Sequence, residues 1–414
     1  MARFCMQMHS GMSRNVAIAN LSKESSNNEG KNKRNNVERV ELVTEKKMKM
    51  KSSSRVLILG GTGRVGSSTA IALSKFCPHL RIVIAGRNRD KGAEMVSKIG
   101  NNSQFSRVDF NDTKSLEEAL KDVDLVVHTA GSFQHADKCT VLEAAIQNKT
   151  AYLDVCDDTS YAWRAKSYMK KAVDANIPAI TTGGICPGVS NVMAAELVRA
   201  ATSESKGEPQ RLRFYYYIAG SGGSRTILSS SFLILGEDVV AYNKGEKIKL
   251  KPYSGMLNID FGQGIGKQDV FLLNLPEVRS VHEVLGVPTV SARFGTAPSF
   301  WNWGMENITN LLPPETLRDR SKVEEVVNLL YPLVRAFDGL AGEKVSMRVW
   351  LLAYVLLSGG LGHQWEIQQL HLSRPFLREA LSLEFGFQKS PKVLQLRQGK
   401  LFSTVLRKEH SISS

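Results

Sequence analysis

Short apolar runs alternate with longer segments of mixed polarity over the first half of the sequence. The first run, Val56–Leu59, is short and β-branched, which predicts a buried strand of a parallel sheet. Five more strands are predicted at Ile82–Ala85, Phe105–Val108, Leu125–His128, Ala151–Val155 and Ala179–Thr181. Helices are predicted between strands at Asn88–Ile99, Thr113–Leu120, Cys139–Gln147 and Tyr161–Ala175. This alternation indicates βαβ units in a doubly wound parallel sheet.

The pattern of apolar and polar residues changes from Arg211 onward, where longer strands of mixed polarity are predicted. We therefore expect an α/β fold in which the parallel sheet is followed by a second, α+β domain. The expected divisions are an extension over residues 1–54, a first domain over 55–189, a second over 190–349 and a tail over 350–414.

The net charge of +14 is concentrated at the two ends of the chain. Residues 1–55 hold 12 Lys and Arg against 5 Asp and Glu, and residues 350–414 hold 8 against 4. The body between them is close to neutral and shows no stripe of Lys and Arg, so a nucleic acid partner is not expected.

Two further classes are not expected. No apolar run approaches the roughly 18 residues of a membrane-spanning helix, so no membrane span is predicted. The five cysteines show neither CxxC pairs nor His partners, so no metal site is predicted.

The first 23 residues contain Arg3, Arg14 and Lys23, three Ser and no acid, which is the composition of an organelle transit peptide. Import into a chloroplast or another organelle is therefore expected. Residues 24–54 are polar and low in complexity, and a disordered extension of a cytoplasmic protein is the alternative.

A glycine-rich turn follows the first predicted strand and opens a helix. It reads Gly60, Gly61, Thr62, Gly63, Arg64, Val65 and Gly66, with the GxGxxG pattern at 61, 63 and 66. Such glycines allow a tight turn, a close approach of backbone N–H groups to a pyrophosphate, and close packing of helix on strand. With its flanking strands and helices, the turn predicts a Rossmann dinucleotide-binding domain.

The end of the second strand indicates which dinucleotide is bound. An NAD site normally has an acid there, whereas this chain has Arg87 and Asn88. A guanidinium group can bind a 2′-phosphate bidentately, so NADP is favoured over NAD, although Arg87 could also be a solvated surface residue. Asp109 is expected at the adenine edge or as a helix cap. Thr129, Ala130 and Gly131 form a small-residue turn beside the cofactor.

Five segments, in their order and spacing, resemble the saccharopine dehydrogenase family, in particular its plant saccharopine dehydrogenase-like members. They are VLILGGTGRVG at 56–66, AGR at 85–87, HTAGSFQ at 128–134, AYLDVCDD at 151–158 and GGICPGVSN at 183–191. The resemblance covers about residues 55–349. It implies a Rossmann domain, a second α+β substrate domain, NAD(P)-linked redox chemistry at the C–N bond of a small amino-acid-derived substrate, and a homodimer.

The same resemblance points to residues of a substrate cleft. Asp154 and Asp157 are the carboxylates best placed to exchange a proton, although Asp157 and Asp158 could instead cap a helix. Further residues that it places at the substrate are Gly188, Ser190, Asn191, Trp301 and Trp303. The two tryptophans could equally be ordinary core residues.

The resemblance stops after Val349. Read in a shifted codon frame with suitable codons, residues 379–393 and 365–372 can yield sequences like the C-terminal segment of the family. We therefore expect residues 350–414 to be an out-of-frame, poorly ordered tail.

Two functions follow from these observations. The first is an NADP-dependent oxidoreductase that acts on a small substrate. The second is a catalytically inactive NAD(P)-binding protein with an interaction or regulatory role, which the altered C-terminus favours.

Overall fold

The computed structural model describes residues 54–131, 133–203, 207–220, 225–341, 344–355 and 363–373. The predicted transit peptide and extension therefore lie outside the described residues, apart from Ser54.

Six parallel strands form the first sheet, as the alternating pattern predicts. They are β1 (Arg55–Leu59), β2 (Arg81–Gly86), β3 (Ser103–Arg107), β4 (Leu125–His128), β5 (Ala151–Asp154) and β6 (Ala179–Ile180). Their order is β3-β2-β1-β4-β5-β6, which is the strand order of a dinucleotide-binding Rossmann fold. The order reverses between β1 and β4, so a crevice is expected at the carboxyl ends of these two strands.

Helices connect these strands and cover the sheet. They are α1 (Arg64–Phe76), α2 (Arg89–Ile99), α3 (Thr113–Leu120), α4 (Thr140–Gln147), α5 (Thr159–Ser167) and α6 (Met169–Asp174). Leu57, Leu59 and Val126 of the strands and Leu116 of α3 are fully buried in one apolar cluster. The apolar runs are continuous because both faces of the sheet are covered.

A second, mixed sheet follows. Its strands are β7 (Gly207–Ala219), β8 (Val239–Asn243), β9 (Glu246–Leu250), β10 (Leu257–Asp260), β11 (Lys267–Leu272), β12 (Thr289–Ala297), β13 (Lys344–Val355) and β14 (His363–Ser373). The order is β10-β11-β12-β7-β13-β14, and β8 pairs with β12 and β9. Strand β7 is central, with β12 parallel and β13 antiparallel to it.

Six helices accompany this sheet. They are α7 (Val189–Ser203), α8 (Arg225–Leu235), α9 (Pro276–Leu285), α10 (Ser299–Leu311), α11 (Pro314–Arg318) and α12 (Arg320–Ala341). Residues of α7 and α9 pack with the inner face of the sheet, where Phe214 and Val349 are buried. Within the residues that the structure describes, no helix combines the length and the apolar character required to span a membrane.

Strand β13 crosses the predicted boundary at Val349 without ending there. Trp350 pairs with Arg213 of β7, and the pairing runs on to Val355. Leu351 and Ala353 are fully buried. Strands β13 and β14 therefore include residues of the predicted tail, 350–414. Residues 356–362 and 374–414 of that tail lie outside the described part of the chain.

A buried carboxyl group joins three elements of the second domain. Glu277 at the start of α9 accepts hydrogen bonds from the Ser190 hydroxyl of α7, at 2.9 Å, and from the Tyr216 hydroxyl of β7, at 2.7 Å. Both bonds reach Oε1, whereas Oε2 is buried without a hydrogen-bond partner. Burial raises the pKa of Glu277 above its ordinary value. The group is therefore held as a neutral acid over part of the pH range in which an exposed Glu is ionised.

Truncation of a buried side chain beyond Val349 tests whether this segment belongs to the fold. We expect Leu351→Ala to lower the free energy of unfolding by about 2–5 kcal/mol, because it leaves a cavity in the inner core. The matched control is Leu329→Ala on α12, where the leucine is 78% exposed, and its loss should stay within about 0.5 kcal/mol. Denaturant titration of both variants measures the difference. Equal, small losses would show that β13 is not packed beyond Val349.

The raised pKa of Glu277 predicts a pH dependence of stability. The unfolded chain loses this proton near the ordinary pKa of 4.5, whereas the folded chain retains it to higher pH. Stability from this group therefore falls as the pH rises from about 4.5 to the folded pKa. Glu277→Gln has the shape of the neutral acid and removes this dependence, so the variant should be at least as stable as the parent at neutral pH.

The stabilisation by Glu277→Gln should grow from pH 4.5 upward, as measured by thermal unfolding over a pH series. Glu196→Gln, at an exposed position of α7, is the control and should change stability little. A loss of stability in Glu277→Gln at every pH would show that the charged carboxylate is required.

Candidate active site at the carboxyl edge of the first sheet

The glycine turn lies against the segment that follows β4. Gly60 has a φ of +83°, and a Cβ there would lie 2.7 Å from the Ala130 backbone. A Cβ at Gly66 would lie 2.3 Å from the Gly60 carbonyl oxygen and 2.6 Å from Thr129 Oγ1. All three distances are shorter than any tolerated contact, so side chains at these positions would separate α1 from β1 and β4.

The amino end of α1 is open to solvent. Gly63 is the N-cap residue, with no side-chain hydrogen bond to the first turn, and Gly63, Arg64 and Val65 are exposed. The N–H groups of the first turn and the helix dipole favour an anion at such a position. Thr62 packs near Gly86, where a Cβ would lie 3.1 Å from Thr62 Oγ1. The turn therefore fits the pyrophosphate of a dinucleotide.

Arg87 and Asn88, which follow β2, differ in their contacts. Arg87 is exposed, and its guanidinium group has no hydrogen bond or ion pair within the described ranges. Asn88, predicted to bind the cofactor, is the N-cap residue of α2, and its Oδ1 accepts a hydrogen bond from Lys91 N at 2.9 Å. Asn88 therefore caps a helix, a role that Asn commonly has at this position.

Asp109 does not cap the helix that follows it. Its Oδ1 accepts a hydrogen bond from Asn111 N at 3.0 Å, within the turn, and Asp112 is the N-cap residue of α3. The turn at Thr129–Gly131 is held by Thr129, which donates a hydrogen bond from Oγ1 to the Leu59 carbonyl oxygen at 2.8 Å. Gly131 has a φ of +76° and lies against Phe110.

A buried polar network lies beneath this turn. His128 at the end of β4 is 4% exposed, and its Nδ1 is 3.2 Å from the Tyr152 hydroxyl. The hydroxyl donates to Asp154 Oδ2 at 2.9 Å, which leaves Nδ1 of His128 as the donor. Burial lowers the pKa of His128 to about 4, so the ring is neutral.

Asp154 is fully buried and its oxygens are saturated with donors. Oδ1 accepts from the N–H groups of Cys156 and Thr182, at 3.0 and 2.8 Å. The Thr181 hydroxyl lies 3.0 and 2.9 Å from the two oxygens. These bonds tie the end of β5 to the segment after β6. The structure gives Asp154 a structural role and no free oxygen for the proton transfer that the sequence reading assigned to it.

Asp157 lies in a different environment. Its Oδ1 accepts a hydrogen bond from Gln134 Nε2 at 2.8 Å, and Asp158, not Asp157, is the N-cap residue of α5. Burial raises the pKa of Asp157, and the bond from Gln134 opposes the rise. Asp157 is half-buried, and its role in proton exchange stays a prediction.

The second domain contributes a carboxylate to the same region. Glu237 follows α8, its Oε1 lies 3.7 Å from His135 Nε2, and its Oε2 accepts a hydrogen bond from Asn274 at 2.7 Å. Burial raises the pKa of Glu237 to about 7, with smaller contributions from the charges of Asp158 and Asp157. We call Asp157, Asp158, His135 and Glu237 the acidic seam. Glu237 carries no sequence signal that identifies it, because its neighbours in the fold are distant in the chain.

The predicted residues at and just before the start of α7 are mainly structural. Gly188 has a φ of +132°, and a Cβ there would lie 2.1 Å from the Gly184 carbonyl oxygen. Ser190 is fully buried on Glu277, and Asn191 Oδ1 accepts a hydrogen bond from the Ser280 hydroxyl at 3.2 Å.

The two predicted tryptophans flank the buried residue of their helix. Trp303 is 69% exposed, and Trp301 packs against the apolar cluster of α8 and α12. Asn302 between them is buried, and its Oδ1 accepts hydrogen bonds from the Tyr253 hydroxyl and from Thr296 N. Trp303 therefore does not line a closed pocket. The sequence pattern did not identify the buried Asn302.

Comparison with known proteins identifies the first domain. Residues 56–180 match the saccharopine dehydrogenase NADP-binding domain. A carboxynorspermidine synthase of Vibrio alginolyticus is 26% identical over 247 residues, 54% of this chain and 58% of that protein. A eugenol synthase of Petunia hybrida is 33% identical over 98 residues, 23% of this chain and 32% of that protein. The chain thus matches only part of the length of these two relatives.

The fold extends the similarity beyond the first domain. The saccharopine dehydrogenase (L-Glu forming) of Saccharomyces cerevisiae superposes over 77% of this chain and 85% of its own, with a TM-score of 0.55 and 12% identity. This likeness concerns the fold, with the parallel sheet followed by the second, mixed sheet. Residues 56–180 are thus similar to the NADP-binding domain of the saccharopine dehydrogenase family, and the fold of the chain is similar to that of a saccharopine dehydrogenase.

Proposed function

We propose that the protein is an NADP-dependent oxidoreductase that acts on a C–N bond of a small, amino-acid-derived substrate. The observation that carries this proposal is the position of the acidic seam. The segments after β4 and β5 lie at the same edge of the sheet as the nucleotide-binding turn, and Gln134 and Asp157 connect them. His135, in the segment after β4, contacts Glu237 of the second domain.

The preference for NADP rests on Arg87. It follows β2, where an NAD-binding domain normally has an acid for the ribose hydroxyls. Its guanidinium group is exposed beside the glycine turn and has no partner among the residues described. A 2′-phosphate would supply the missing counter-charge through a bidentate contact.

The substrate class rests on the charge of the seam. Burial raises the pKa of Asp157, Asp158 and Glu237, and repulsion from the charge of Asp158 adds to the rise at Asp157 and at Glu237. A positively charged amine would relieve this repulsion. NADP, when bound, supplies the hydride acceptor. Glu237 and Asp157 would then hold the amine and receive the proton that its nitrogen loses.

The first prediction concerns the cofactor. We expect Arg87→Ala to weaken NADPH binding by about 10- to 100-fold and to leave NADH binding unchanged, because a charge-assisted bidentate contact is lost. Fluorescence titration measures both affinities. Arg81→Ala, at the opposite end of the same strand, is the matched control. Equal weakening of both nucleotides, or of neither, would contradict the assignment of Arg87 to the 2′-phosphate.

The second prediction concerns Glu237. With NADP⁺ and with saccharopine and carboxynorspermidine as trial substrates, we expect kcat/KM for amine oxidation to rise as the pH passes about 7, because the carboxylate form accepts the proton. Glu237→Gln should remove this rise and lower kcat/KM by about 100-fold or more. Asp238→Asn, at the exposed neighbouring position that pairs with Lys249, should preserve the pH profile.

Two results would count against this function. A rise with pH that persists in Glu237→Gln would exclude Glu237 as the proton acceptor. NADPH binding without turnover of either amine would favour a cofactor-binding protein that has no catalytic activity.

A further inference from the structure

Arginines from three neighbouring strands meet on the outer face of the second sheet. On β7, Phe214 and Tyr216 point to the inner core, so Arg213 and Tyr215 point outward. Tyr215 is in register with Arg293 of β12 on one side and with Arg348 of β13 on the other. Arg213 is in register with Ser291 and Trp350 on the same two strands. We call Arg213, Arg293, Arg348 and Tyr215 the arginine cluster.

The contacts bring Arg213 and Arg293 together. Arg293 donates from Nε to the Gly255 carbonyl oxygen at 3.0 Å and from Nη1 to Ser291 Oγ at 3.3 Å. Its guanidinium group therefore turns towards the residue that lies opposite Arg213. Arg213 stacks over the Trp350 ring, 5.6 Å from its centroid. Arg348 donates to the Asp260 carbonyl oxygen.

No carboxylate balances these two charges. Over the ranges that the structure describes, neither Arg213 nor Arg293 forms an ion pair with Asp or Glu. The outward positions of β7, β12 and β13 nearest to the two arginines, such as Ser291, Tyr217 and Ser346, hold no acid, and the outward Glu208 lies opposite Tyr354, beyond a register shift in β7. Burial lowers the pKa of Arg293, Tyr215 opposes this shift, and the nearby charge of Arg213 adds to the lowering. Two half-buried like charges without a counter-ion destabilise the protein in which they stand.

We propose that Arg213 and Arg293, beside Tyr215, form a binding site for a small multivalent oxyanion such as phosphate or a polycarboxylate. Planar guanidinium groups bind these oxyanions through paired N–H donors. The site is separate from the nucleotide-binding turn, because its residues belong to the second sheet and face away from the inner core that contains Glu277. It does not depend on the proposed oxidoreductase activity.

Thermal unfolding of the full chain tests the site, with inorganic phosphate and citrate as probes and sodium chloride at matched ionic strength as the reference. We expect each probe to raise the Tm of the parent by about 2 °C at ten times its Kd. The double variant Arg213→Gln/Arg293→Gln should lose this rise, and its Kd for phosphate, measured by calorimetry, should be at least tenfold higher. Arg81→Gln on β2 is the matched control and should retain the full effect.

A second readout separates the site from a purely structural role. Without a multivalent anion, Arg213→Gln should have a higher Tm than the parent, because the repulsion between the two guanidinium groups is relieved. With saturating phosphate the order should reverse.

Three results would overturn the proposal. One is an equal phosphate effect in the parent and the double variant, which would place the anion elsewhere, for example at the glycine turn. Another is the absence of any effect in the parent. The third is dissociation of a dimer by the double substitution in sedimentation experiments, which would show that acidic groups of a second copy neutralise this face.

Discussion

The close approach of the glycine turn to the segment after β4 is the contact on which the candidate site depends. A Cβ at Gly66 would lie 2.3 Å from the Gly60 carbonyl oxygen, so only glycine lets α1 begin directly above β1. This position leaves the first turn of α1 open at the edge where β1 and β4 diverge. The edge also receives Arg87 after β2, Thr129 after β4 and Asp157 after β5. One steric constraint therefore determines how Arg87, Thr129 and Asp157 are placed relative to the first turn of α1.

Burial gives the carboxyl groups of the protein different functions. Asp154 is fully buried, yet three backbone or hydroxyl groups and Tyr152 donate to it, so its charge is satisfied within the fold. Glu277 receives two hydrogen bonds on one oxygen and none on the other, which favours the neutral acid. Glu237 lies between these extremes, with one donor and an imidazole nearby. Because Glu237 is largely buried and accepts only this hydrogen bond among the described residues, its pKa is about 7. Such a group can exchange protons at neutral pH.

Local sequence patterns predicted most of the first domain. The strand predicted at Val56–Leu59 differs from β1 by one residue, and the glycine turn could be predicted because its motif depends on neighbours close in sequence. The roles of Asp154 and Asp157 could not be separated in this way. Both follow β5, and only the fold shows that the donors to Asp154 come from Thr181 and Thr182. Glu237 and His135 are about a hundred residues apart and carry no motif, so their contact required the tertiary structure.

The arginine cluster shows why a sequence without a basic stripe can still have a basic surface. In a strand, side chains alternate between two faces, so Arg213 is separated from the next outward position by the buried Phe214. The cluster forms only when β12 and β13 flank β7, and these strands lie about 80 and 135 residues further along the chain.

The same alternation determines the importance of the residues after Val349. Trp350 faces outward and stacks with Arg213, whereas Leu351 faces inward and is fully buried. Strand β13 lies between β7 and β14, and its inward side chains Leu351 and Ala353 join the buried cluster of α7 and α9. Residues 350–355 therefore contribute to both the inner core and the arginine cluster. A change of reading frame at this position would alter both faces of the sheet.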